Sequence, residues 1–417
     1  MPPTEYVFYV GVDWGSERHQ VCVLDAERRV CEERAVEHSG PGLAALAEWL
    51  GALAPGHPER IAVALEVPRG AIVDTLLSRG LHLFAVNPKQ LDRFRDRHSI
   101  AGAKDDRRDA FVAAEALYTD RWAFRRLEPE HPLILQLREV TRLDQDLQQE
   151  LTRLANRLRD QLLRYYPALL RLAPAANEPW LWTLLELAPT PAAGAQLPRA
   201  RVVRLLQRHH IRRHTPEAVL GALRAPAVWL TPGTVEAAAR HVALLLPRLQ
   251  LVHAQRAQCT AEIDRLLAAL SAAAPAPGPQ REHRDVEILR SLPGVGRLVA
   301  ATMLAEAAHL LAARAYHGLR AHAGIAPVTK QSGKYRGVQM RYDCNHWLQQ
   351  AVYHWARVSA QCDPHSRAHY TALRERGHSH PRALRGIADR LLAILVALLK
   401  TGTLSDAARL RRRELAV

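Results

Sequence analysis

The first 125 residues alternate short apolar runs with amphipathic stretches, and this alternation restricts the fold more than any other feature of the chain. Strand-like runs are YVFYVGVD (6–13), HQVCVLD (19–25), RRVCEERAVE (28–37), RIAVALE (60–66) and LHLFAVN (81–87). Helix-like stretches are GLAALAEWLGAL (42–53), AIVDTLLSR (71–79) and DRRDAFVAAEALYTD (106–120). Three closely spaced strands, then helix, strand, helix, strand, helix, predict an α/β domain over residues 1–125.

Acids interrupt this apolar framework at particular places. Asp13 ends a segment that otherwise reads as a buried strand. A buried carboxylate is costly unless a cation, a hydrogen-bond cage or a turn accommodates it. Gly15 and Ser16 allow the strand to end just beyond it, and Glu66 closes IAVALE in the same style. Asp106 and Asp109 lie at i and i+3 of a predicted helix and share a face, while Asp105 points elsewhere. Each acid alone also fits a turn residue or a helix cap. Together they suit a hard cation, Mg²⁺ or Mn²⁺, held by carboxylate oxygens. Two such ions about 4 Å apart can assist phosphoryl transfer.

The remainder reads as helical. Leucines at 133, 137, 143, 147, 151, 154, 158 and 162 place one long helix over residues 133–172, with Pro167 near its end. A second runs from Thr234 to about Ala272, interrupted near Pro247, and the two could pair as a coiled coil or a dimer arm. Between them, 173–232 is rich in Pro, Ala and Arg, and PRARVVRLLQRHHIRRHTPE (198–217) is a basic patch with helical spacing. SAAAPAPGPQ (271–280) reads as a linker. The expected domains are thus 1–125, a helical connector over 126–280, a mostly helical domain over 281–405, and a basic tail at 406–417.

Charge points to the partner. The chain carries +15 overall. From Arg284 to the C-terminus there are 21 Lys plus Arg against 9 Asp plus Glu, a net of +12, which leaves +3 for everything before it. Such asymmetry predicts a nucleic-acid surface on the C-terminal part. Only five residues are lysine, so compositional bias accounts for Arg over Lys, but not for the excess over acids. The five scattered cysteines include no CxxC pair, against a zinc site or a disulfide framework. No apolar run reaches the roughly 18 residues of a membrane span. The N-terminus reads as lacking a signal peptide, so a cytoplasmic protein is expected.

VGVDWGSERH, ALEVPRG, VNPKQLDRFR and AKDDRRDA together resemble the RuvC-like domain of the DEDD transposases of insertion-sequence family one-ten and its eleven-eleven subgroup. The family pattern K-x-D-x-x-D-A falls on Lys104, Asp106, Asp109 and Ala110. Its first Asp and its Glu fall on Asp13 and Glu66. The C-terminal signature is similar too, in LPGVGRLVAATMLAE, LRAHAGIAPVTKQSGKYRG and NHWLQQAVYHWA. The resemblance covers residues 6–120 and 286–402. It implies an α/β ribonuclease H-like (RuvC-like) domain, a coiled-coil connection and a mostly α-helical C-terminal domain.

It further implies a DNA recombinase that moves its own element, acts near the bacterial nucleoid and is guided by a structured non-coding RNA pairing with target and donor DNA. Asp13, Glu66, Asp106 and Asp109 would hold Mg²⁺, and Ser332 in KQSGK would attack a DNA phosphate and become joined to it. A dimer building toward a tetramer on DNA is implied. Lys330, Lys334, Arg336 and Arg341 surround Ser332 and could hold the phosphate. Without the resemblance, Ser332-Gly333 reads as a turn. LPGVG (292–296) resembles a helix-hairpin-helix turn, in which Gly294, Gly296 and Arg297 would contact DNA. Trp347, Tyr353 and Trp355 are candidates for base stacking, but their helical spacing favours core packing.

Three competing readings remain. A DNA invertase of the pilin-inversion type shares the signature and would act on fixed sites. A sugar-kinase-like ATPase fits GVDWGS but would need a second Gly-rich phosphate turn. A catalytically silent nucleic-acid-binding protein would not need the acid set.

Overall fold

The computed structural model describes residues 5–97, 105–272, 282–333 and 335–405. The chain divides into two compact units, Met1–Glu130 and His131–Val417.

The first unit is built on one mixed sheet. Its elements run β1 (Phe8–Asp13), β2 (Arg18–Leu24), β3 (Val30–Glu37), α1 (Gly40–Leu53), β4 (Ile61–Leu65), α2 (Ala71–Ser78), β5 (His82–Ala85), α3 (Pro88–Asp96), α4 (Asp106–Asp120) and β6 (Arg125–Arg126). The sheet order is β3-β2-β1-β4-β5-β6. β1, β2 and β3 pair antiparallel, β1, β4 and β5 pair parallel, and the two-residue β6 pairs antiparallel with β5. The mixed α/β architecture expected from the sequence is therefore present. β6 and α3 are additions to the expected element list.

Strand alternation divides the sheet into two faces. Val10, Val12, Val63 and Leu65 pack with Leu43, Leu46, Leu50, Ile72 and Leu76 of α1 and α2. The opposite rows, including Ala62 and Ala64, pack with Val112, Ala113 and Ala116 of α4. α4 approaches β1 very closely at Gly11. A Cβ there would lie 1.9 Å from the Ala110 carbonyl oxygen and 2.5 Å from the Ala114 nitrogen. Only a glycine permits helix and strand backbones to meet at this distance.

The second unit is helical with one hairpin. Its first half holds α5 (Pro132–Tyr165), α6 (Pro179–Leu187), α7 (Pro191–Ala195), α8 (Arg199–Arg208), α9 (Pro216–Leu223) and α10 (Thr234–Ala272). Its second half holds α11 (Glu282–Ser291), α12 (Arg297–Ala312), α13 (Tyr316–His322), β7 (Val328–Ser332), β8 (Tyr335–Gln339), α14 (His346–Cys362), α15 (Pro364–Glu375) and α16 (His380–Thr401). α5 and α10 form an antiparallel arm. At one end Leu147–Leu162 and Val242–Cys259 enclose a core with α6, α8 and α9. At the other, Ile134, Leu137 and Ile263–Leu270 join the core of α11, α12, α14 and α16.

Two helix boundaries differ from the sequence reading. α5 ends at Tyr165, and Pro167 opens a short 3₁₀ turn, Pro167–Arg171, so the helix does not reach residue 172. Pro247, in contrast, lies inside α10 without ending it. Pro247 and the residue four before it, Ala243, are both exposed, so the carbonyl released by the missing N–H can turn to water. Leu245, Leu246 and Leu249 hold the opposite face in the core. The linker reading at 271–280 falls on α10 at its first two residues, and residues 273–280 lie outside those described. The basic tail at 406–417 lies outside them as well.

Candidate active site

Four carboxylates are carried toward one edge of the first unit's sheet. Val12 of β1 is in register with Leu65 of β4, so Asp13 and Glu66 each come one residue later on adjacent parallel strands. Gly11 faces α4, and Asp13, two residues on, continues that row. Ala62 and Ala64 face α4 in the same way, and Glu66 follows them. α4 runs antiparallel to β1: Tyr118 meets Tyr9 at the start of the strand, with ring centroids 4.9 Å apart, and Ala110 covers Gly11. The first turn of α4, with Asp106 and Asp109, therefore lies toward the end of β1 that carries Asp13. Asp105 caps the helix by accepting from the Arg107 N–H.

Their side chains are disposed differently. Asp13 and Glu66 are half-buried, and Asp106 is exposed. Asp109 is 3% exposed, and its carboxylate accepts from Arg95 Nε at 2.7 Å. Among the described residues, no three His, Cys, Asp or Glu side chains are gathered closely enough to hold a metal ion. The donor chemistry and the shared edge fit a hard divalent cation. The Arg95–Asp109 contact keeps one donor committed elsewhere. Lys104 lies outside the described residues.

A histidine pair borders this edge, and the sequence reading did not single it out. His19 on β2 is fully buried, and its Nε2 lies 2.8 Å from His38 Nδ1. Its Nδ1 accepts from the Gly15 N–H at 3.4 Å. That acceptor role leaves the proton of neutral His19 on Nε2, from which it donates to His38. Burial, and secondarily the neighbouring His38, push the His19 pKa below its ordinary value. The GS turn after Asp13 is thus tied to the sheet through His19.

Ser332 lies in the second unit, at the end of β7. The hairpin register pairs Ser332 with Tyr335, Gln331 with Arg336 and Lys330 with Gly337. Gly333 in the connecting loop has φ +54°, the left-handed conformation that glycine adopts readily. Ser332, Lys330 and Arg336 are exposed. By strand alternation Lys330 shares the face of Ser332, while Arg336 belongs to the other face. Lys334 lies outside the described residues. Arg341, just after β8, lines an open cleft of about 540 Å³ with His309, His322 and Asn345. Arg341 Nε is buried, and among the described residues no hydrogen-bond partner reaches it.

Behind that cleft α12 is broken at Ala307, whose φ/ψ of −126°/17° is not helical. Arg138 of α5 donates to the Ala305 carbonyl through Nε and Nη2, at 2.9 and 2.6 Å. Glu306 is 5% exposed and accepts from Arg142 at 2.7 and 2.9 Å and from Asn345 Nδ2 at 2.7 Å. Burial alone would raise the Glu306 pKa, but the Arg142 and Asn345 hydrogen bonds hold it below the ordinary carboxylate value.

The Gly-rich turn before α12 is largely a packing device. Gly294 has φ +79°, and a Cβ there would lie 2.6 Å from Ser359 Oγ and 2.8 Å from Ser359 N. Trp355 Nε1 and Ser359 Oγ both donate to the Pro293 carbonyl, at 2.9 and 2.8 Å. Trp355 is fully buried, as helical spacing suggested, while Tyr353 is 37% exposed. Gly296 is the N-cap of α12, has open space where a Cβ would be, and supplies no side-chain cap. Arg297 forms an ion pair with Asp264.

A transposase family model matches residues 10–167, and the model of the IS116/IS110/IS902 transposase family matches residues 286–371. A Streptomyces coelicolor protein named as the mini-circle transposase for IS117 is 32% identical over 404 residues, spanning 94% of each chain. The IS110 insertion-element 43.6 kDa protein of the same organism is 32% identical over 305 residues, 72% of each chain. A Sinorhizobium fredii protein bearing a transposase name, y4uE, is 48% identical over 206 residues, 49% of this chain and 57% of its own length. The match along nearly the whole chain, with both family models falling on the acid-bearing sheet and the hairpin-bearing helical unit, places this protein in the IS116/IS110/IS902 family of insertion-sequence transposases.

Proposed function

We propose that this transposase cuts and rejoins DNA at the ends of its own element. Asp13, Glu66, Asp106 and Asp109 would hold Mg²⁺ or Mn²⁺, and Ser332 would be the nucleophile. The observation that carries the reading is the shared sheet edge to which Asp13, Glu66 and the first turn of α4 are brought. A bound divalent ion would supply Lewis acidity at the scissile phosphate. The Ser332 oxygen would bond to phosphorus as a backbone P–O bond breaks, and the departing DNA oxygen would take up a proton. Ser332 is exposed beside a left-handed glycine, which suits an approach by a bulky duplex. Lys330, on the same strand face, would neutralise the phosphate. Lys334, Arg336, Arg341, Gly294, Gly296 and Arg297 would add backbone contacts, with Arg297 first giving up Asp264.

Guidance by a structured non-coding RNA is part of the reading, with base pairing supplying the sequence choice. A homo-oligomer is also proposed. Leu244 and Leu251, seven residues apart on α10, are 71% and 59% exposed on one face of the arm.

The test is strand exchange on a donor carrying the element ends, a target, and RNA transcribed from the flanking non-coding DNA. Asp13→Asn, Glu66→Gln and Ser332→Ala should each abolish exchange while nucleic-acid binding and the circular dichroism spectrum remain. A covalent protein–DNA adduct should form with the parent and not with Ser332→Ala. Full exchange in excess chelator, or an adduct that persists in Ser332→Ala, would remove the corresponding half of the proposal.

A further inference from the structure

The six-arginine segment between α7 and α9 has no part in the site above. From Leu187 to Pro216 the chain has six arginines and neither Asp nor Glu. α8 buries Val202, Leu205 and Leu206 in the core at the end of the arm. That anchoring exposes Arg201, Arg204 and Arg208, spaced three and four residues apart and therefore aligned along one helix face. Two neighbouring arginines serve the fold: Arg199 pairs with Glu217, and Arg213 with Glu178. The three on the stripe do not. Among the described residues no carboxylate lies within ion-pair distance of Arg201, Arg204 or Arg208, and Arg204 Nε donates only to its own helix, at the Ala200 carbonyl.

We propose that this face of α8 binds the phosphate backbone of a nucleic-acid duplex. Three uncompensated guanidiniums on a rigid helix repel one another, and folding alone gives no reason to align them. From Arg201 to Arg208 the stripe is about 10 Å long at 1.5 Å per residue. One strand of a duplex presents roughly three phosphates over that length, one per 3.4 Å of axis. The stripe carries no exposed aromatic ring among its arginines, which suits backbone contact better than base stacking. The contact rests on the proposed function only in that the partner is nucleic acid. It is read out by binding, so failure of the catalytic assignments leaves it standing.

The experiment compares the full chain with the Arg201→Gln/Arg204→Gln/Arg208→Gln variant on a 30-bp DNA duplex of arbitrary sequence and on an RNA duplex of the same length. Affinity is measured across a salt series. The Gln variant should bind about 10- to 100-fold more weakly at low salt, and the slope of log affinity against log salt should become shallower by about 2 to 3, near 0.9 per lost phosphate contact. The corresponding Lys variant should keep the parent slope. Loss on DNA alone assigns the surface to the element or target duplex, loss on RNA alone to a structured RNA, and loss on both to either backbone. An unchanged slope on both duplexes overturns the proposal. Should the triple variant melt early, Arg204→Gln alone decides it through a slope change of about 1.

Discussion

Arg95 Nε donates to Asp109 Oδ1 at 2.7 Å, on the α4 side of the sheet toward whose edge Asp13 and Glu66 run. The pair neutralises a carboxylate that α4 would otherwise bury alone. It also makes Arg95 a placeholder for the cation that the acid set is proposed to bind.

Replacing Arg95 with Ala leaves Asp109 buried without its counter-charge, which should cost about 3–5 kcal/mol of stability without metal. Millimolar Mg²⁺ or Mn²⁺ should then raise the melting temperature more in Arg95→Ala than in the parent, because a ligand that binds only the folded state stabilises it. Thermal melts with and without the ion check this. Equal metal response in both proteins would mean that Asp109 is not a ligand.

Gly11→Ala should separate α4 from β1, since its Cβ would meet backbone atoms at 1.9 and 2.5 Å. Neither the strand nor the helix can yield cheaply, so a loss of about 3 kcal/mol, near the top of the overpacking range, is expected. Denaturant unfolding measures it. Exchange activity should fall with it, because the Asp13 row and the first turn of α4 would no longer converge.

Glu306→Ala should cost about 3–5 kcal/mol, because it removes a buried carboxylate that pairs with Arg142 and accepts from Asn345. Glu306 also sets an acid limit. Its pKa is lowered in the folded state, so its contribution is complete above the ordinary value of 4.5 and is lost as pH falls below it. His19, likewise lowered, contributes fully above 6.5 and loses that contribution as pH falls. Melting followed from pH 8 to pH 2 should therefore decline in two stages. His19→Gln should flatten the upper one, and Glu306→Gln the lower.

Leu244→Asp/Leu251→Asp should shift the protein to a smaller species in sedimentation while leaving its helical content unchanged, since both side chains already face solvent. A parent that sediments as a monomer both alone and on DNA would instead make the two leucines incidental surface residues.

The parts of the molecule that were legible in the sequence are those where periodicity and burial agree. β1 and β4 announce themselves through unbroken apolar runs closed by Asp13 and Glu66, and α5 through its leucines. The hairpin was not legible. VTKQS is almost wholly exposed, so no buried row imposes an alternation on its residue types. The short helices α6, α7 and α9 were hidden because Pro at a first helical turn looks like a breaker, although at Pro179, Pro191 and Pro216 it begins a helix; α8 was legible in its helical spacing. Arg95 lay in plain view in VNPKQLDRFR, but its ion pair joins two helices across a gap of 14 residues. No local pattern reports such a pair. The His19–His38 contact is a cross-strand relationship of the same kind.

The arm of α5 and α10 acts as a ruler. α5 alone has 34 residues, which at 1.5 Å each is about 51 Å. It joins the core that carries the hairpin, reached at Ile134 and Leu137, to the core that carries the arginine stripe, reached from Leu147 to Tyr165. A straight duplex running beside the whole arm would advance about 15 bp, at 3.4 Å per pair. Footprints on bound duplexes should therefore show two protected patches within this length. Removing two heptads from each arm helix should bring the patches closer by about 6 bp.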